Sequence, residues 1–477
     1  MQNLLLALRN IGRNKRRSLV TILAIAVSCG GLALFGGYAS WMFRAVEEQT
    51  VGSYGHLQIY RKDYYDKGTG NPAAYAIDDY DKIKKLLEED PVLKPKLDLV
   101  TGQILFNGMV TSAKTQSAST FAGLGVFPSE DYHLTEWNPY GITRANELKE
   151  NANYFSGTPE LADDDITGCS VGLGLAKVLR LDEKPEKTPA SSPAQPTAAS
   201  DPPKAPASDG VDLNFLTSQT GPKESDPGDK QSLDLLVSPP NGGMPNATTI
   251  TVRKLMPRAT KEMEDTLIKL HIKHASELLF RGQPLHVTAV IVLLKSTDDT
   301  DMAMARVQKL IDDHHLNLEQ KRWEEIRPFF PRMKRMIALI FDFVFVLLVV
   351  MVSFLIYNTQ SAGIMERLGE IGTLRAIGVT RISLWRLLVL EGLMLGLLGG
   401  LLGMVFAILG DRLCQVIHIV YIPPTVTFYA KLEVLVLRNP VVLLQAFVGG
   451  LLCAIVSSAL PARKAARMEI VEALRHS

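Results

Sequence analysis

Four long apolar runs constrain this chain more than any other feature. They occupy residues 18–43, 336–357, 384–410 and 440–462. A helix needs about 20 apolar residues to cross the hydrocarbon core of a bilayer, and each run reaches that length. Buried core helices are the alternative interpretation, but four runs of this length favour membrane spans. We therefore predict a membrane α-helical protein with four transmembrane helices, TM1 to TM4.

The rest of the composition excludes several classes of protein. Among 477 residues, Lys and Arg number 51 and Asp and Glu number 50, so the net charge gives no reason to expect nucleic-acid binding. Three of the four cysteines lie inside apolar runs and Cys169 lies alone in the polar middle, so they cannot form a disulfide framework. Residues 44–335, between TM1 and TM2, have an ordinary polar composition and are long enough for a large domain.

Basic residues predict the orientation. They cluster before TM1, between TM2 and TM3, and after TM4, at Arg9, Arg13, Lys15, Arg16, Arg17, Arg367, Arg375, Arg381, Arg386, Arg463, Lys464, Arg467 and Arg475. Short loops rich in Lys and Arg stay in the cytoplasm. Arg332, Lys334 and Arg335 lie on the opposite side, but they end a long translocated region, where the charge bias is weak. We expect a multi-pass protein of the bacterial inner membrane with both termini cytoplasmic and residues 44–335 in the periplasm.

Shorter segments follow from these spans. Residues 1–17 show leucines on one face and arginines on the other, which predicts an amphipathic interfacial helix or an ordinary positive flank. A basic start leading to Cys29 also resembles a secretory signal, but the apolar run continues past the cysteine and favours a retained span. The remaining segments are a cytoplasmic coupling loop at 358–383, a short periplasmic loop at 411–439 and a cytoplasmic tail at 463–477.

The domain at 44–335 is predicted to be α+β. Alternating or apolar patterns indicate strands at 56–61, 97–110, 120–126 and 285–294, helices at 78–89 and 300–313, and a buried turn leading into a helix at 169–181. Residues 184–231 are rich in Pro, Ala and Ser and lack the apolar area to order themselves, which predicts a disordered insertion, either a tether or a tolerated surface insertion.

The sequence gives little support for a catalytic or metal-binding site. His271 and His274 are three residues apart without a third ligand, so no metal site is predicted. Gly172 and Gly174 lack the third glycine of a dinucleotide-binding loop, and no G-x-x-x-x-G-K-[ST] sequence occurs. We predict no catalytic residue, no metal and no cofactor bound by this chain.

The most specific signal lies in the cytoplasmic loop. Ile364, Leu368, Ile371 and Leu374 recur at helical spacing beside charged residues, and this pattern predicts a short amphipathic helix that docks into a groove on a soluble partner. The residues assigned to this docking role are Glu366, Arg367, Glu370, Ile371, Gly372, Leu374, Arg375, Ala376 and Gly378.

This segment resembles one family, the FtsX/MacB/LolC-LolE type of ABC-transporter permease (type VII, the mechanotransmission class). The family pattern E-R-x-x-E-I-G-x-L-R-A-I-G appears at 366–378, an E-G pair at 391–392, and P-A-x-x-A-A followed by E-A-L-R at 461–475. The resemblance implies a permease without catalytic activity. It implies that ATP and Mg²⁺ are bound by a separate dimeric ABC ATPase, and that two permease copies, identical or related, pair through their spans.

Within that family the outer region is most similar to the lipoprotein-releasing LolC and LolE permeases, on short matches at 121–128, 172–176 and 323–325. This similarity implies extraction of a lipoprotein or another lipid-anchored cargo toward the outer membrane, with help from a periplasmic carrier or adaptor. Two alternatives stay open: a MacB-like efflux or toxin-export permease, and an FtsX-like regulator of a cell-wall hydrolase. The family's FtsX-type outer domains are smaller than residues 44–335.

Two groups of residues within the spans complete the predicted sites. Gly392, Gly396, Gly399, Gly400 and Gly403 recur along TM3, which predicts close helix packing or a dimer contact. Intramembrane acids suggest function by default. For Glu391 we favour a structural role that anchors TM3 to the coupling helix, with Arg386 as a nearby base. For Asp342 we expect either a reach to the interface or a pair with Lys334 or Arg335.

Overall fold

The computed structural model describes residues 15–468 apart from 113, 153, 155–157, 182–230, 241, 259, 327–328 and 423–428. The predicted amphipathic helix at 1–17, all but one residue of the insertion at 184–231, and the end of the tail at 463–477 therefore lie largely outside the described residues.

Four long helices form the membrane part: α1 (Lys15–Tyr54), α9 (Phe329–Glu366), α11 (Arg381–Ile417) and α12 (Pro440–Arg467). All four are long and apolar enough to cross a membrane. Each extends beyond the predicted run, because polar and charged flanks continue the helix on one or both sides. With 40 residues, α1 is about 60 Å long, twice what a bilayer core requires. The extra turns of α1 and α9 carry the chain out of the membrane as a stalk.

The helix of TM4 extends beyond the predicted span. It continues to Arg467, five residues past the predicted end, with Pro461 buried inside it. A proline removes one backbone hydrogen bond and usually kinks a helix. Here Ala462, Ala465 and Ala466 are buried against other helices, and this packing holds the turns that follow the proline.

The domain between α1 and α9, which we call the lobe, combines nine strands with short helices in its described residues. The strands are β1 (Leu57–Arg61), β2 (Leu97–Ser112), β3 (Ala118–Val126), β4 (Gly168–Gly172), β5 (Ser232–Val237), β6 (Asn246–Met256), β7 (Leu267–His271), β8 (Ala289–Leu294) and β9 (Leu318–Arg322). The helices are α2 (Tyr80–Glu89), α3 (Pro128–Thr135), α4 (Leu173–Val178), α5 (Lys261–Thr266), α6 (Ile272–Phe280), α7 (Thr300–Asp313) and α8 (Trp323–Ile326).

The sheet closes on itself through its longest strand. The first half of β2 pairs with β8, which continues the sheet to β1 and β9. The second half of β2 pairs with β3 on one side and β5 on the other. Since β3 pairs with β7, β7 with β4, β4 with β6 and β6 with β5, these six strands form a closed barrel. The lobe is thus a barrel and a four-stranded sheet that share β2.

One apolar core fills both halves of the lobe. It includes Leu87 of α2, Phe106 and Val110 of β2, Leu270 of β7 and Val307 of α7, all buried. Alternating apolar residues on strands and the apolar faces of α2 and α7 meet here, as their periodicity predicts. The strands and helices predicted from sequence within this domain are present, except that residues 168–172 form strand β4 instead of the predicted buried turn.

A buried ion cluster holds the loop before β4 onto the barrel. Arg258 donates to both carboxylate oxygens of Glu160 at 3.0 and 2.9 Å, and Lys269 lies 3.4 Å from Glu160 and 2.8 Å from Asp131. Burial by itself would raise the pKa of Glu160, but the charges of Arg258 and Lys269 outweigh it and lower that pKa to about 2. Glu160 therefore stays ionised at physiological pH.

A second apolar cluster joins the stalk to the lobe. Val51 of α1 and Phe330 of α9 pack with Trp137, Ile291 and Trp323, which belong to the lobe and its base. The two stalk helices enter the sheet directly, because α1 precedes β1 and β9 leads through α8 into α9. We call this cluster the joint.

Candidate functional site

The coupling segment is a short helix set between two membrane helices. After α9 ends at Glu366, Arg367 leaves the helical conformation, and α10 (Leu368–Ala376) follows at once. Gly378 then turns the chain with φ +105°, a conformation that a residue with a Cβ adopts only under strain. The Thr380 side chain accepts a hydrogen bond from the Ser383 N–H at 3.3 Å and caps α11.

The apolar stripe of the segment faces the chain's own helices. Ile364, Leu368 and Ile371 are buried and pack with residues of α11 and α12, namely Leu384, Leu388, Ala462, Ala465 and Ala466. The prediction that this stripe enters a groove on a partner is therefore wrong for these three residues. Leu374, at the edge of the stripe, is 40% exposed. A short helix beside two longer ones buries its apolar side against them first, and it leaves the opposite side for a partner.

Two arginines of the segment hold α10 in place. A guanidinium nitrogen of Arg367 lies 3.6 Å from a carboxylate oxygen of Glu391 on α11, and both side chains are nearly buried. Arg375 donates to the backbone oxygens of Ala466 at 3.2 Å and Met468 at 2.8 Å, where α12 ends. A cation at a helix C-terminus satisfies carbonyls that lack a partner within the helix and interacts favourably with the helix dipole.

These contacts bear on the predicted roles of both intramembrane acids. Glu391 joins TM3 to the coupling segment, and its base in the structure is Arg367, whereas the sequence pointed to Arg386. Asp342 is exposed on α9. Its reach to the interface and its pairing with Lys334 or Arg335 both stay predictions.

The outer face of α10 is the part open to a partner. Glu366, Glu370, Thr373 and Ala376 are exposed, and Ile377 is 84% exposed. Gly378 is exposed as well, whereas Gly372 is buried with Ile371. The docking residues predicted from the sequence therefore divide into an inner set that holds the helix and an outer set. The outer set gains Ile377, which directly follows α10 and is not part of the predicted stripe.

The glycines of α11 pack inside the chain. A Cβ at Gly396 would lie 2.6 Å from the Ala454 Cβ of α12, and one at Gly400 would lie 2.8 Å from the Phe447 ring. Gly392 faces Ser458 of α12 in the same way.

The other two glycines face α1. A Cβ at Gly399 would lie 2.6 Å from the Ile25 Cβ, and one at Gly403 would lie 2.8 Å from the Ala26 oxygen. All five glycines are buried against helices of the same chain, and their use in a dimer contact stays a prediction.

Comparison with protein families now identifies this part of the molecule. Residues 343–470 match the family model of the FtsX-like permease C-terminal domain. This region is an FtsX-like permease domain. The matched range begins within α9 and covers its second part, the coupling helix α10, α11 and α12. Proteins of this family are non-catalytic membrane subunits of ABC transporters and work with an ABC ATPase. No curated protein matches the full sequence.

The histidines considered as metal ligands both lie in the lobe. Among the described residues, no group of three His, Cys, Asp or Glu side chains is arranged to hold a metal ion. His271 ends β7 and accepts from the Lys273 N–H at 3.1 Å, and His274 on α6 lies 3.2 Å from the Thr248 hydroxyl. Both histidines therefore have structural partners in the lobe.

Proposed function

We propose that this permease converts ATP binding and hydrolysis by a separate ATPase dimer into movement of its lobe. The observation that supports this most is the construction of α10. Its inner face is fixed to both α11 and α12, through Arg367 and Arg375, while its outer face is exposed. A partner that pushes on the outer face moves the two helices with it, because the contacts on the inner face are buried.

We further propose how the ATPase binds. Ile377 would insert into an apolar pocket of the partner, and Glu366 and Glu370, which are exposed in the same segment, would meet basic residues around it. Burying one exposed isoleucine contributes roughly 1.5–3 kcal/mol, or about 10- to 100-fold in affinity. Acidic residues at the rim would add to the rate of association and to specificity.

The proposed cargo is a lipoprotein or another lipid-anchored molecule taken from the outer leaflet of the inner membrane toward the outer membrane. Its support is the resemblance of the outer region to LolC and LolE. The segments that resemble LolC and LolE all lie in the lobe. They are found at the end of β3, at the β4–α4 junction and at Trp323 in the joint. In this proposal the lobe is periplasmic, both termini are cytoplasmic, and a periplasmic carrier or adaptor receives the cargo.

A second permease copy, identical or related, belongs to the same proposal. The glycine-bearing surface of α11 is already occupied by α1 and α12, so a second copy would contact the exposed apolar residues of the other helix faces. Leu339, Phe343 and Val350 on α9 are each more than half exposed. Such faces meet either lipid tails or another protein.

The docking surface is tested by changing Ile377 to Asp in the complex isolated with its ATPase. We expect at least a tenfold loss of ATPase binding and loss of transport-coupled hydrolysis. The matched control is Val178→Asp, which places the same charge at an exposed apolar position of α4 in the lobe. Unchanged ATPase binding by the Ile377 variant would contradict the proposed surface.

The cargo class is tested separately. Inner-membrane vesicles that contain the complete transporter and a labelled lipoprotein should release it to a soluble acceptor when ATP is supplied. Export of a small toxin without lipoprotein release would favour the MacB-like alternative, and activation of a cell-wall hydrolase would favour the FtsX-like one.

A further inference from the structure

A segment of the lobe crosses the outer end of the membrane helices. After α3 the chain continues through residues 137–151, which we call the collar, and it includes two short 3₁₀ turns at Ala145–Glu147 and Lys149–Asn151. Neither the sequence patterns nor the proposed docking of an ATPase assigns the collar a role.

The first end of the collar is fixed in the joint. The indole N–H of Trp137 donates to the Leu294 oxygen at 3.0 Å, at the end of β8. Its ring also meets the His56 ring edge-on, with centroids 4.8 Å apart. His56 directly precedes β1 and accepts from the Leu294 N–H at 3.0 Å. Trp137 therefore moves with the central strands of the four-stranded sheet.

The middle of the collar contacts α1 where it leaves the membrane. The Tyr140 hydroxyl donates to a Glu47 carboxylate oxygen at 2.7 Å, and the Arg44 guanidinium lies over the Tyr140 ring at 5.0 Å. Ile142 is buried with Trp41 of α1 and with Leu435 of the loop between α11 and α12. An apolar contact thus joins three separate parts of the chain.

The remaining contacts reach the TM3–TM4 loop. The Asn151 side chain donates to the Tyr429 oxygen at 2.9 Å and accepts from the Tyr429 N–H at 2.9 Å, as a paired strand would. Arg438 donates to the oxygens of Tyr140 and Gly141 at 3.0 Å each. The Thr143 hydroxyl donates to a Glu433 carboxylate oxygen at 2.6 Å. Four collar residues are thereby bonded to the loop.

We infer that the collar is a second route by which movement reaches the lobe. The stalk helices α1 and α9 are the first route, because they are continuous with the sheet. The second runs from α10 to α11 and α12 through Arg367 and Arg375, along these two helices to their outer loop, and through the collar into the joint. This inference rests on the proposed function, since it concerns how the stroke of an ATPase is transmitted.

The contacts are of a kind that transmits displacement. Asn151 is 1% exposed and uses both its carbonyl and its amide group, so the loop cannot shift without breaking two hydrogen bonds of a buried side chain. Buried polar groups without a partner are costly, and this cost keeps the collar and the loop together during a movement. Arg438 adds two charge-assisted bonds to backbone oxygens, which do not depend on side-chain rotamers of the collar.

The test compares two collar variants with a matched control in the intact permease–ATPase complex. Asn151→Ala removes both hydrogen bonds to Tyr429. Arg438→Ala removes the hydrogen bonds to the oxygens of Tyr140 and Gly141, which lie at the surface, so this change leaves no cavity in the core. The control is Asn246→Ala, because Asn246 is also a buried asparagine that donates to a backbone oxygen, that of Leu278, but within the barrel. The readouts are the ATP hydrolysis rate and the nucleotide-dependent distance change between labels on the lobe and on α11.

We expect both collar variants to keep ATP hydrolysis within about twofold and to lose at least half of the lobe displacement, while Asn246→Ala keeps both. Full displacement in Arg438→Ala, together with full displacement in Asn151→Ala, would overturn the role of the collar and leave the proposed function standing. A wild-type complex whose lobe does not move with nucleotide would overturn both. An equal loss of displacement in the control would also overturn the inference. Any change that weakens the lobe would then be enough to reduce its displacement, and the collar would have no special role.

Discussion

The ion pair between Arg367 and Glu391 gives the sharpest energetic prediction. Changing either residue to Met removes one charge and leaves the other nearly buried, and changing both removes the pair while keeping apolar volume. We expect each single change to release α10 from α11, and we expect the double change to restore most of the contact. The logic is that a buried charge without its partner costs more than a buried pair replaced by apolar groups.

The magnitude follows from the geometry. At 3.6 Å and an effective dielectric constant of about 20, two unit charges attract by roughly 4–5 kcal/mol, and breaking buried pairs in proteins costs about 3–5 kcal/mol. Because the side chains are only 12% and 11% exposed, solvent screens this interaction little. A cost near 3 kcal/mol raises the open population of α10 roughly 100-fold.

Hydrogen exchange of the α10 backbone amides measures that population directly, since local opening exposes amides that are otherwise bonded. The amide of Ile371, bonded to the Arg367 oxygen at 2.9 Å, is a suitable reporter. Each single variant should speed its exchange roughly 100-fold, and the double variant should return to within about tenfold of wild type. Equal exchange in all four proteins would refute the role of the pair in holding the coupling helix.

Three further predictions concern separate contacts. Arg375→Ala removes two hydrogen bonds to the end of α12, which together contribute about 2 kcal/mol. Because the end of α12 then opens more often, limited trypsin cleavage at Lys464 should become at least tenfold faster. Gly399→Ala should lower the thermal midpoint in detergent through overpacking of about 1–3 kcal/mol, whereas Gly31→Ala, with open space around it, should not; equal midpoints would contradict the packing. Glu160, whose pKa falls from 4.5 to about 2 on folding, contributes stability that is present above pH 4.5 and is lost as the pH falls toward 2. The lobe of Glu160→Gln should therefore show a weaker dependence of its melting temperature on pH across that window, and an unchanged dependence would contradict the assignment.

The sequence predicted the membrane part well because its signals are local. An apolar run of bilayer length needs no knowledge of the rest of the fold, and the glycines of TM3 already indicate close packing. What the sequence did not show is which helix would approach them. Gly396 and Gly399 face α12 and α1 of the same chain, and this choice depends on the arrangement of all four helices.

The coupling segment shows the same limit. Helical spacing correctly placed Ile364, Leu368 and Ile371 on one face, but spacing alone does not reveal whether a partner or the chain itself covers that face. The base that pairs with Glu391 also lay outside local reasoning, because Arg367 is 24 residues away in sequence and Arg386 only five. The structure resolves both questions through contacts between distant segments.

In the lobe, the barrel was the main feature missed. Strands β5, β6 and β7 are short or polar on one side, and their pairing with β2, β3 and β4 spans the insertion at 184–231. Closure of the barrel depends on pairing between strands that are far apart in the chain. Hydrophobic periodicity describes each strand by itself and does not show which strands pair. The collar was missed for a similar reason. Its role depends on the contact between Asn151 and Tyr429, which are far apart in the sequence.

The central claim is that nucleotide bound to a partner ATPase moves the lobe relative to the membrane helices. Its most direct measurement is the distance between spin labels at Lys309 on α7 and Arg412 near the outer end of α11, both exposed positions, in the permease–ATPase complex held in lipid nanodiscs. We predict two distance distributions that exchange between the nucleotide-free and ATP-bound states, and a single unchanged distribution after Ile377→Asp. One distribution that is the same with and without ATP in the wild-type complex would contradict it.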